Sequence, residues 1–460
     1  MNQKEYIGEC TSYSSEGHGI IKTIDGVIFV YGLFLNEVAK VRLEYKRSGV
    51  MYGKIIELIK KSPYRIEPLC KVCSACGGCQ FHQIQYSEEL KIKKNTIKDA
   101  LKMIGGISFK VNDTLGMKDP THYRNKIQMP VGFDKKRNII SGFYRVKSHD
   151  IIPIDECVIE DKRSVPIIKK MKELMKSMHI DPYNEDNRTG IIRHILIRTS
   201  HYYDEVMLTI VTNVDSFPSR NNFVKELTKA CKITTIVQNI NKRDTNVILG
   251  EQERILYGKG YIKDKLCGID FNISSKSFYQ TNYLQTEVLY NYAIEKAKIS
   301  SSDIVFDAYS GIGTIGLIAS KKAKKVISVE LEKEAYKNAI SNAKRNNITN
   351  FEAYNDDATK FILEYVKDKN NKIDVLFLDP PRKGSTKEFL NAVKLLSPKR
   401  VIYISCNPAT LARDLKDLID KYDIEDIQGV DLFPRTYHVE TVCLLTLKWH
   451  KNLKQITAKV

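Results

Sequence analysis

The first 60 residues alternate short apolar runs with glycine-containing turns. Five runs have the composition of β-strands, at 6–7, 17–21, 27–30, 38–43 and 53–56. Short strands at this spacing predict a small closed barrel of the oligonucleotide-binding type, which we assign to residues 1–61. Such barrels offer aromatic and basic side chains to single-stranded nucleic acid. A barrel that only caps the chain and binds nothing is the alternative.

The middle of the chain, residues 62–270, combines helix and strand patterns. Residues 82–105 predict a helix with one apolar and one lysine-rich face, so the basic face is expected in solvent, with phosphate contact as the alternative. Four later runs, at 191–198, 205–211, 234–240 and 268–273, predict an antiparallel-rich sheet. This region is therefore expected to be an α+β domain.

Strands and helices alternate from about residue 303 onwards. Apolar runs at 304–306, 325–329, 351–354, 373–378 and 401–404 are separated by helical stretches, which predicts a parallel, doubly wound sheet. Two further runs, at 424–432 and 439–447, should add strands near its edge. The fold class is thus α/β, with a Rossmann-like seven-stranded domain at 271–460 after the barrel and the α+β region.

Length and composition limit the class of protein. A chain of 460 residues, 42% of them hydrophobic, is long enough for two or three domains with apolar cores. Nothing in the sequence has the length of a membrane span, and residues 1–5 do not open a signal or transit peptide. We therefore expect a cytoplasmic protein with no membrane partner. Ten cysteines in that reducing compartment are expected to be metal ligands or catalytic groups where they cluster.

The formal net charge of +18 indicates a polyanionic partner. Lysine-rich stretches are spread along the chain and interleaved with tyrosines, which favours an extended nucleic-acid surface over a single basic tail. The general solubility of a lysine-rich protein is the alternative explanation.

Four cysteines lie within ten residues of one another: Cys70, Cys73, Cys76 and Cys79. This spacing lets a chain wrap one ion or cluster, and the two glycines before the last cysteine permit tight turns around sulfur. Three close cysteines and one distant thiolate commonly hold a four-iron cluster, and Cys157 is the distant candidate. Zinc is the alternative, although four thiolates from one short loop would crowd a tetrahedral ion.

A glycine-rich segment, Asp-Ala-Tyr-Ser-Gly-Ile-Gly-Thr-Ile-Gly at 307–316, follows the first strand of the last domain and opens a helix. Glycines let backbone N–H groups approach a ligand. Glu330 ends the next strand, where a carboxylate can accept hydrogen bonds from both hydroxyls of a ribose. NAD and S-adenosylmethionine sites share this pattern. The leading Asp307 and the aromatic Tyr309 before the first glycine favour S-adenosylmethionine.

Three reactive side chains end later strands. Asp379 begins Asp-Pro-Pro-Arg, whose prolines stiffen the loop. Cys406 lies in Ser-Cys-Asn-Pro after a buried run, where a thiolate would be a strong nucleophile. Glu440 lies at the edge of the last apolar run, where partial burial would raise its basicity. The alternatives are a rigid turn, a small buried hydrophobic residue and a solvated or ion-paired glutamate, respectively.

These motifs, with Ser-Phe-Tyr-Gln-Thr-Asn at 277–282 and His-Val-Glu-Thr at 438–441, resemble those of the RNA uracil-5-methyltransferases. The front of the chain resembles their ribosomal-RNA branch, which carries an amino-terminal TRAM barrel and a four-iron four-sulfur site that the transfer-RNA branch typically lacks. The resemblance implies that Cys406 is the nucleophile and Glu440 the proton acceptor. It also implies two binding sets: Gln280, Tyr309, Glu330 and Asp379 for S-adenosyl-L-methionine, and Cys70, Cys76, Cys79 and Cys157 for the 4Fe-4S cluster. Cys73 is an extra cysteine in the first gap of the family's pattern.

The expected function is methylation of uracil C5 in 23S ribosomal RNA by a cytoplasmic monomer, through a covalent adduct between Cys406 and C6. Addition of a thiolate at C6 turns C5, a poor nucleophile, into the carbon of an enolate, and the target base must leave its stack to be reached. Three alternatives remain: methylation of transfer RNA, a non-catalytic RNA-binding or assembly factor, and an NAD-dependent oxidoreductase. The last would have no use for Cys406 opposite Asp379.

Overall fold

The computed structural model describes residues 4–145, 148–244 and 246–448. Their strands form a closed barrel, two seven-stranded sheets and a two-stranded sheet. In chain order the strands are β1 (Glu5–Tyr13), β2 (Gly19–Thr23), β3 (Gly26–Val30), β4 (Val38–Arg47), β5 (Val50–Lys60), β6 (Lys126–Phe133), β7 (Ile139–Tyr144), β8 (Ile151–Pro153), β9 (Ile192–Thr199), β10 (Val206–Thr212), β11 (Thr235–Ile240), β12 (Gln252–Tyr257), β13 (Tyr261–Leu266), β14 (Ile269–Ser274), β15 (Ile304–Ala308), β16 (Lys325–Glu330), β17 (Phe351–Asn355), β18 (Val375–Leu378), β19 (Arg400–Ser405), β20 (Tyr422–Val430) and β21 (Glu440–Leu447).

The α-helices are α1 (Cys73–Cys76), α2 (Tyr86–Ala100), α3 (Ser164–Ser177), α4 (Arg220–Ala230), α5 (Tyr283–Ala297), α6 (Thr314–Ser320), α7 (Lys333–Arg345), α8 (Ala358–Tyr365), α9 (Lys387–Leu396) and α10 (Pro408–Leu418). A π-helical turn, Leu101–Gly105, follows α2. Within the described ranges, every helix is too short or too polar to cross a membrane.

The amino-terminal strands close into a barrel in the order β1-β2-β3-β5-β4, as the short apolar runs predict. Antiparallel pairing of β1 with β4 completes the closure. Fully buried aliphatic side chains, among them Ile21, Ile28 and Val41, fill the interior. Because closure pairs every strand edge, the outer face is free to carry polar and aromatic side chains.

The central sheet has seven strands in the order β12-β11-β10-β9-β6-β7-β8. Its pairings are antiparallel except that of β10 with β11. The runs at 191–198, 205–211 and 234–240 are confirmed as β9, β10 and β11. The assignment of the run at 268–273 to this sheet was wrong. It forms β14, which pairs with β13 in a separate hairpin whose apolar side chains enter the core of the carboxy-terminal sheet.

The carboxy-terminal sheet has the order β17-β16-β15-β18-β19-β21-β20, which confirms the predicted Rossmann-like seven-stranded domain. Strands β15 to β19 pair in parallel, and β21 runs antiparallel between β19 and β20. Strand β18 is apolar and buried along its whole length because helices cover both faces of the sheet. The order reverses between β15 and β18. Open α/β sheets bind ligands at such a crossover, beyond the carboxyl ends of the strands.

Helix α2 packs against the carboxy-terminal sheet and contacts α10. Ile97 and Leu101, in the helix and the π-helical turn after it, are buried in the core. Glu89 and Lys93 are also fully buried. The expected solvated basic face was therefore wrong for Lys93, whose ammonium lies 2.8 Å from Glu89 and 2.6 Å from Asp431. Helical periodicity alone does not separate a buried charge from an exposed one.

Candidate active site

Strand register brings three of the predicted cofactor residues to one level at the carboxyl edge of the last sheet. Ala308 in β15 pairs with Val329 in β16 and with Leu378 in β18. These strands are parallel, so the residues that follow also lie side by side. They are Tyr309, Glu330 and Asp379.

The same register places Cys406 beside Glu440. Ser405, the last residue of β19, pairs with Thr441 in the antiparallel strand β21, so one step further brings Cys406 level with Glu440. Cys406 is half-buried and lines a cavity of about 180 Å³, whereas Glu440 is only 5% exposed. Cys406 is therefore not sealed in the core, and its role as nucleophile stays a prediction.

Asn407 connects the loop that carries Cys406 to the Asp-Pro-Pro-Arg loop. Its side chain accepts a hydrogen bond from the N–H of Ala409, which caps α10. Its Nδ2 donates to the carbonyl of Arg382 at 3.0 Å. Pro408 lies in the first turn of α10. A backbone N–H in that turn has no partner within the helix, so proline, which lacks the N–H, loses no hydrogen bond there. The Asn-Pro pair thus fixes the position of Cys406 relative to the Asp-Pro-Pro-Arg loop.

Burial and mutual repulsion raise the pKa values of the acidic groups at this edge. Burial and then the nearby Asp379 raise the pKa of Glu440 to about 8, and burial raises the pKa of Asp379 to about 7. Burial, Glu440 and Asp379 raise the pKa of the Cys406 thiol to about 11, while Arg382 acts in the opposite direction. At neutral pH the ligand-free site therefore holds protons on Cys406 and Glu440, and a cationic ligand would favour their release.

Asp307 and Glu330 hold the glycine-rich loop. Asp307 Oδ2 accepts hydrogen bonds from the N–H of Gly316 at 2.8 Å and from the Ser328 hydroxyl at 3.3 Å, while burial raises its pKa to about 7. Its Oδ1 is buried without a hydrogen-bond partner in the described part of the chain. Glu330 accepts the N–H of Gly311 at 2.7 Å, and a Cβ added at Gly311 would meet no atom within 4 Å. Open space beside these carboxylates fits the amino-acid or ribose part of a ligand.

Tyr309 directly follows β15, before the first glycine of the glycine-rich segment, and has a left-handed backbone with a φ of 61°. A non-glycine residue there is strained, and such strain is typical of functional loops. Its ring packs against Phe389 with centroids 5.7 Å apart, and its hydroxyl lies 3.4 Å from Ser385 Oγ. These contacts hold the tyrosine at the sheet edge.

Gln280 reaches the site from the loop before α5. Asn125 in the central region donates a hydrogen bond to its carbonyl at 3.0 Å. Its side chain lies near the hydroxyl of Tyr290, a buried residue whose pKa is raised well above its usual value by burial and by Asp379. The structure therefore brings Gln280 to the same edge as Asp379. Tyr290 was missed because no motif surrounds it in the sequence.

Residues 85–448 match the family model described as tRNA (uracil-5-)-methyltransferase. The chain belongs to the tRNA (uracil-5-)-methyltransferase family. The match begins after the barrel and the cysteine cluster and covers both larger sheets. It therefore includes every predicted catalytic and cofactor residue of the site.

Several bacterial relatives are similar to this family member along nearly their whole length. An uncharacterized RNA methyltransferase of Clostridium tetani is 40% identical over 439 residues, 95% of each chain. One of Staphylococcus aureus strain MSSA476 is 40% identical over 443 residues, 96% of this chain and 98% of the relative. One of Clostridium acetobutylicum is 41% identical over 438 residues, 94% of this chain and 95% of the relative.

A solved structure shares the fold. The crystal structure of Pyrococcus abyssi tRNA (uracil-54, C5)-methyltransferase in complex with S-adenosyl-L-homocysteine is 26% identical, with a TM-score of 0.76. The likeness covers 96% of this chain and 100% of that chain. The small remainder is too short to contain the five barrel strands, so the shared fold includes the barrel.

In this uracil-5-methyltransferase family member Cys157 lies near the cysteine-rich loop beside the barrel. Burial raises the thiol pKa values of Cys76, Cys79 and Cys157, and each is raised further by neighbouring cysteines, Cys70 among them. Cys157 thus lies near a loop that precedes it by almost 80 positions. Among the residues that the structure describes, no three His, Cys, Asp or Glu side chains are arranged to hold a metal ion. The thiols fit the chemistry of a cluster, and the cluster itself stays a prediction.

A buried ion-pair network fixes the segment before Glu440. Lys93 Nζ donates to Asp431 and, at 3.2 Å, to the carbonyl of Phe433. Glu89 accepts the N–H of Arg435 at 2.7 Å. Sequence reasoning missed this network because Lys93 and Asp431 are 338 positions apart and neither lies in a motif.

Two further site residues lie inside predicted motifs but were not among the predicted site residues; of the two, only Asp307 was used, to favour S-adenosylmethionine over NAD. Arg382 ends Asp-Pro-Pro-Arg and lies 3.4 Å from His438 Nε2, on the loop that leads to Glu440. Asp307 opens the glycine-rich segment and fixes its helix through Gly316. Their position in the sequence could have identified them, because each lies in the same motif as a residue that received a role.

Proposed function

We propose that this protein methylates C5 of uracil in 23S ribosomal RNA, with S-adenosyl-L-methionine as methyl donor, through a covalent adduct between Cys406 and C6. Methylation of uracil C5 is the activity for which its family is named. The observation that carries the proposal is an accessible thiol level with a buried carboxyl at a sheet edge, Cys406 beside Glu440. Hydride transfer to a nicotinamide would need neither group.

The chemistry requires a nucleophile and a base on neighbouring positions. When the Cys406 thiolate adds to C6, the electrons of the C5–C6 double bond move into an enolate, and C5 becomes nucleophilic. The methyl donor supplies an electrophilic methyl group to C5. Glu440 then accepts the C5 proton, the double bond re-forms and Cys406 leaves C6 as a thiolate. The C5–C6 electron pair moves out and back, the C5 proton passes to Glu440, and the electron pair of the donor's methyl–sulfur bond would stay with the sulfur of the departing S-adenosyl-L-homocysteine.

The donor is proposed to bind Gln280, Tyr309, Glu330 and Asp379. The common level of the last three at the sheet edge and the open space beside Gly311 support this set. A carboxylate at the end of the second strand can accept ribose hydroxyls, as Glu330 would. Asp379 lies close enough to Cys406 and Glu440 to raise their pKa values, so a sulfonium there would lower both. Donor binding would therefore help to deprotonate the catalytic pair.

Ribosomal RNA is the proposed substrate because the cysteine cluster at the front of the chain resembles the ribosomal-RNA branch. The barrel does not separate the two substrates, since the Pyrococcus abyssi tRNA methyltransferase shares it. Transfer RNA is the second candidate. It is favoured by the Pyrococcus abyssi enzyme, whose name gives a tRNA substrate and whose structure is similar over 96% of this chain.

Methyl transfer to the two RNA classes tests this choice. Ribosomal RNA and transfer RNA from cells that lack the protein are incubated separately with pure enzyme and radioactive S-adenosyl-L-methionine. We expect label in 23S RNA, identified as 5-methyluridine by mass spectrometry. Label confined to transfer RNA would replace the proposal by the second candidate. Absence of transfer to both would indicate an RNA-binding protein without this activity.

A second part of the proposal concerns Cys70, Cys76, Cys79 and Cys157, which would hold a four-iron four-sulfur cluster that stabilises the region beside the barrel. The convergence of Cys157 on the cysteine-rich loop supports it. Cys73 is 9% exposed and receives no ligand role. All ten cysteines are free, which fits the reducing, cytoplasmic setting that we propose for a monomeric enzyme.

A further inference from the structure

A larger cavity, of about 640 Å³, lies between the barrel and the cysteine-rich loop. Five aromatic side chains of the barrel line it: His18, Phe29, Tyr31, Tyr45 and Tyr52. The opposite wall includes Cys73, Cys79 and Gln80. We call it the aromatic cavity. It shares no lining residue with the cavity at Cys406.

The rings present flat faces and edges to this space. Tyr45 and Tyr52 are stacked, with centroids 4.7 Å apart and an interplanar angle of 13°. Phe29 meets Tyr52 edge-on at 5.7 Å and lies nearly parallel to His18 at 6.3 Å. Tyr45 is 36% exposed. Because aliphatic side chains fill the barrel core, these rings are not needed to pack it.

Polar groups at the aromatic cavity suit a nucleotide. Lys54 supplies positive charge, whereas the charge of Arg65 is balanced by Glu37 at 2.6 Å. Gln80 and Glu44 also line the space, and their side chains can hydrogen-bond the edge of a base. A ligand with a flat ring and a phosphate would use both kinds of group.

The aromatic cavity is joined to the Cys406 cavity through direct contacts. Gln80 Oε1 accepts the N–H of Tyr437 at 3.3 Å, and Tyr437 lines the Cys406 cavity. The barrel loop between β1 and β2 reaches that cavity as well, through Ser15 and Glu16. In the same loop, a Cβ added at Gly17 would come within 2.9 Å of Tyr437. A strand whose uridine reached Cys406 would therefore run along the barrel beside the rings.

We propose that the aromatic cavity binds one unstacked base of the substrate RNA, separate from the uridine that is methylated. This inference rests on the proposed function for the identity of the polymer. Single-stranded RNA is the occupant that uses stacked rings and cations together, since each base offers a flat face and each linkage a negative charge. The net charge of +18 also favours it.

The cysteine-rich loop forms the floor of the aromatic cavity. The Tyr31 hydroxyl donates to the carbonyl of Cys79 at 2.6 Å and lies 3.3 Å from that of Cys73. The fold of this loop therefore sets the distance between floor and rings. Correct folding of the cysteine-rich loop would thus be needed for tight RNA binding, whatever its metal content.

Photo-cross-linking locates the base. The full-length protein is irradiated with a single-stranded RNA of about 12 nucleotides that contains 5-iodouridine, and cross-linked peptides are identified by mass spectrometry. Cross-links are expected at Tyr45, Tyr52 or Phe29. Tyr45→Leu and Phe29→Leu are each expected to weaken binding of this RNA about 5- to 100-fold, the loss of one stacking contact. Tyr257→Leu, on β12 and 44% exposed, is the matched control and should bind normally.

The same preparations are assayed for methyl transfer, which separates the two proposals. We expect Tyr45→Leu to raise KM for RNA far more than it changes kcat. If both variants bind RNA normally and cross-links fall elsewhere, the aromatic cavity is not a base site, even when the wild type methylates RNA. If cross-links fall in the aromatic cavity and the wild type transfers no methyl group, the proposed function is wrong and the RNA site stands.

Discussion

At neutral pH, Cys406 and Glu440 hold the protons that the proposed reaction requires them to lose. Burial is the main reason for both groups, and nearby acids add to it: Glu440 and Asp379 raise the pKa of Cys406, and Asp379 raises the pKa of Glu440. Arg382 opposes the shift for both groups. The protonated thiol is the less reactive form, so the half-buried Cys406 is protected from side reactions until a cationic donor and a uracil base bind.

The pH dependence of the reaction follows from these shifts. A carboxyl with a pKa of about 8 is protonated below that pH and cannot accept the C5 proton. The rate of methyl transfer should therefore rise from pH 6 to pH 8 and continue to rise above it, because the Cys406 thiol, whose pKa is raised to about 11, must also lose its proton. Single-turnover rates across this range test the sign. A rate that falls between pH 6 and pH 8 would contradict the assignment of Glu440 as base.

Replacement of the thiol separates chemistry from binding. Cys406→Ala should lower turnover by at least about 10³-fold, because C5 is no longer activated, while leaving S-adenosyl-L-methionine binding nearly unchanged. Cys231→Ala is the matched control, since Cys231 is also half-buried and lies outside the site. Calorimetry of donor binding and methyl-transfer rates measure the two effects. Turnover by Cys406→Ala at the control's rate would exclude the thiol as nucleophile.

At the scale of elements, strand register assembles the site from residues far apart in the sequence. Motifs at strand ends were enough to predict which residues face the edge, because parallel strands in such sheets end at one side. They could not predict that β21 inserts between β19 and β20, which is what sets Glu440 beside Cys406. Hydrophobic runs located the strands of this sheet, and not their lateral order.

The sequence did not indicate that charged residues of α2 are buried. Their contribution to stability can be tested by substitution. Lys93→Met leaves Glu89 and Asp431 buried without their cation and should destabilise the protein by about 3 kcal/mol. Lys91→Met is the control, because Lys91 is 62% exposed and pairs only at the surface with Glu88. Urea unfolding midpoints compare the two. Equal midpoints would mean that the network does not stabilise the segment before Glu440.

At the scale of the whole molecule, the described chain joins a barrel, two large sheets and a hairpin. The boundaries 1–61, 62–270 and 271–460 stay a proposal. Helix α2 and the β13–β14 hairpin both pack into the carboxy-terminal core, so the middle of the chain is tied to the last sheet. The sequence predicted the barrel and the two large sheets from their periodicity, and not the β13–β14 hairpin. It could not assign β14 to the hairpin, because a short alternating run fits the central sheet equally well.

The cysteine cluster gives a prediction that concerns the whole fold. Protein purified without oxygen should be brown and contain about four iron and four sulfide ions per chain. Cys157→Ala should lose most of the iron, whereas Cys231→Ala should keep it. Elemental analysis and visible absorption measure both. Colourless anaerobic protein with stoichiometric zinc and no iron would replace the iron–sulfur assignment by a zinc site.

Trapping of the covalent adduct tests the central claim most directly. Glu440→Gln cannot accept the C5 proton, so the adduct should form, receive the methyl group and then persist. Incubation of this variant with substrate RNA and S-adenosyl-L-methionine, followed by denaturation and mass spectrometry, should show 5-methyluracil bound through C6 to Cys406. Methylated RNA released freely, with no denaturation-stable bond to Cys406, would contradict the account.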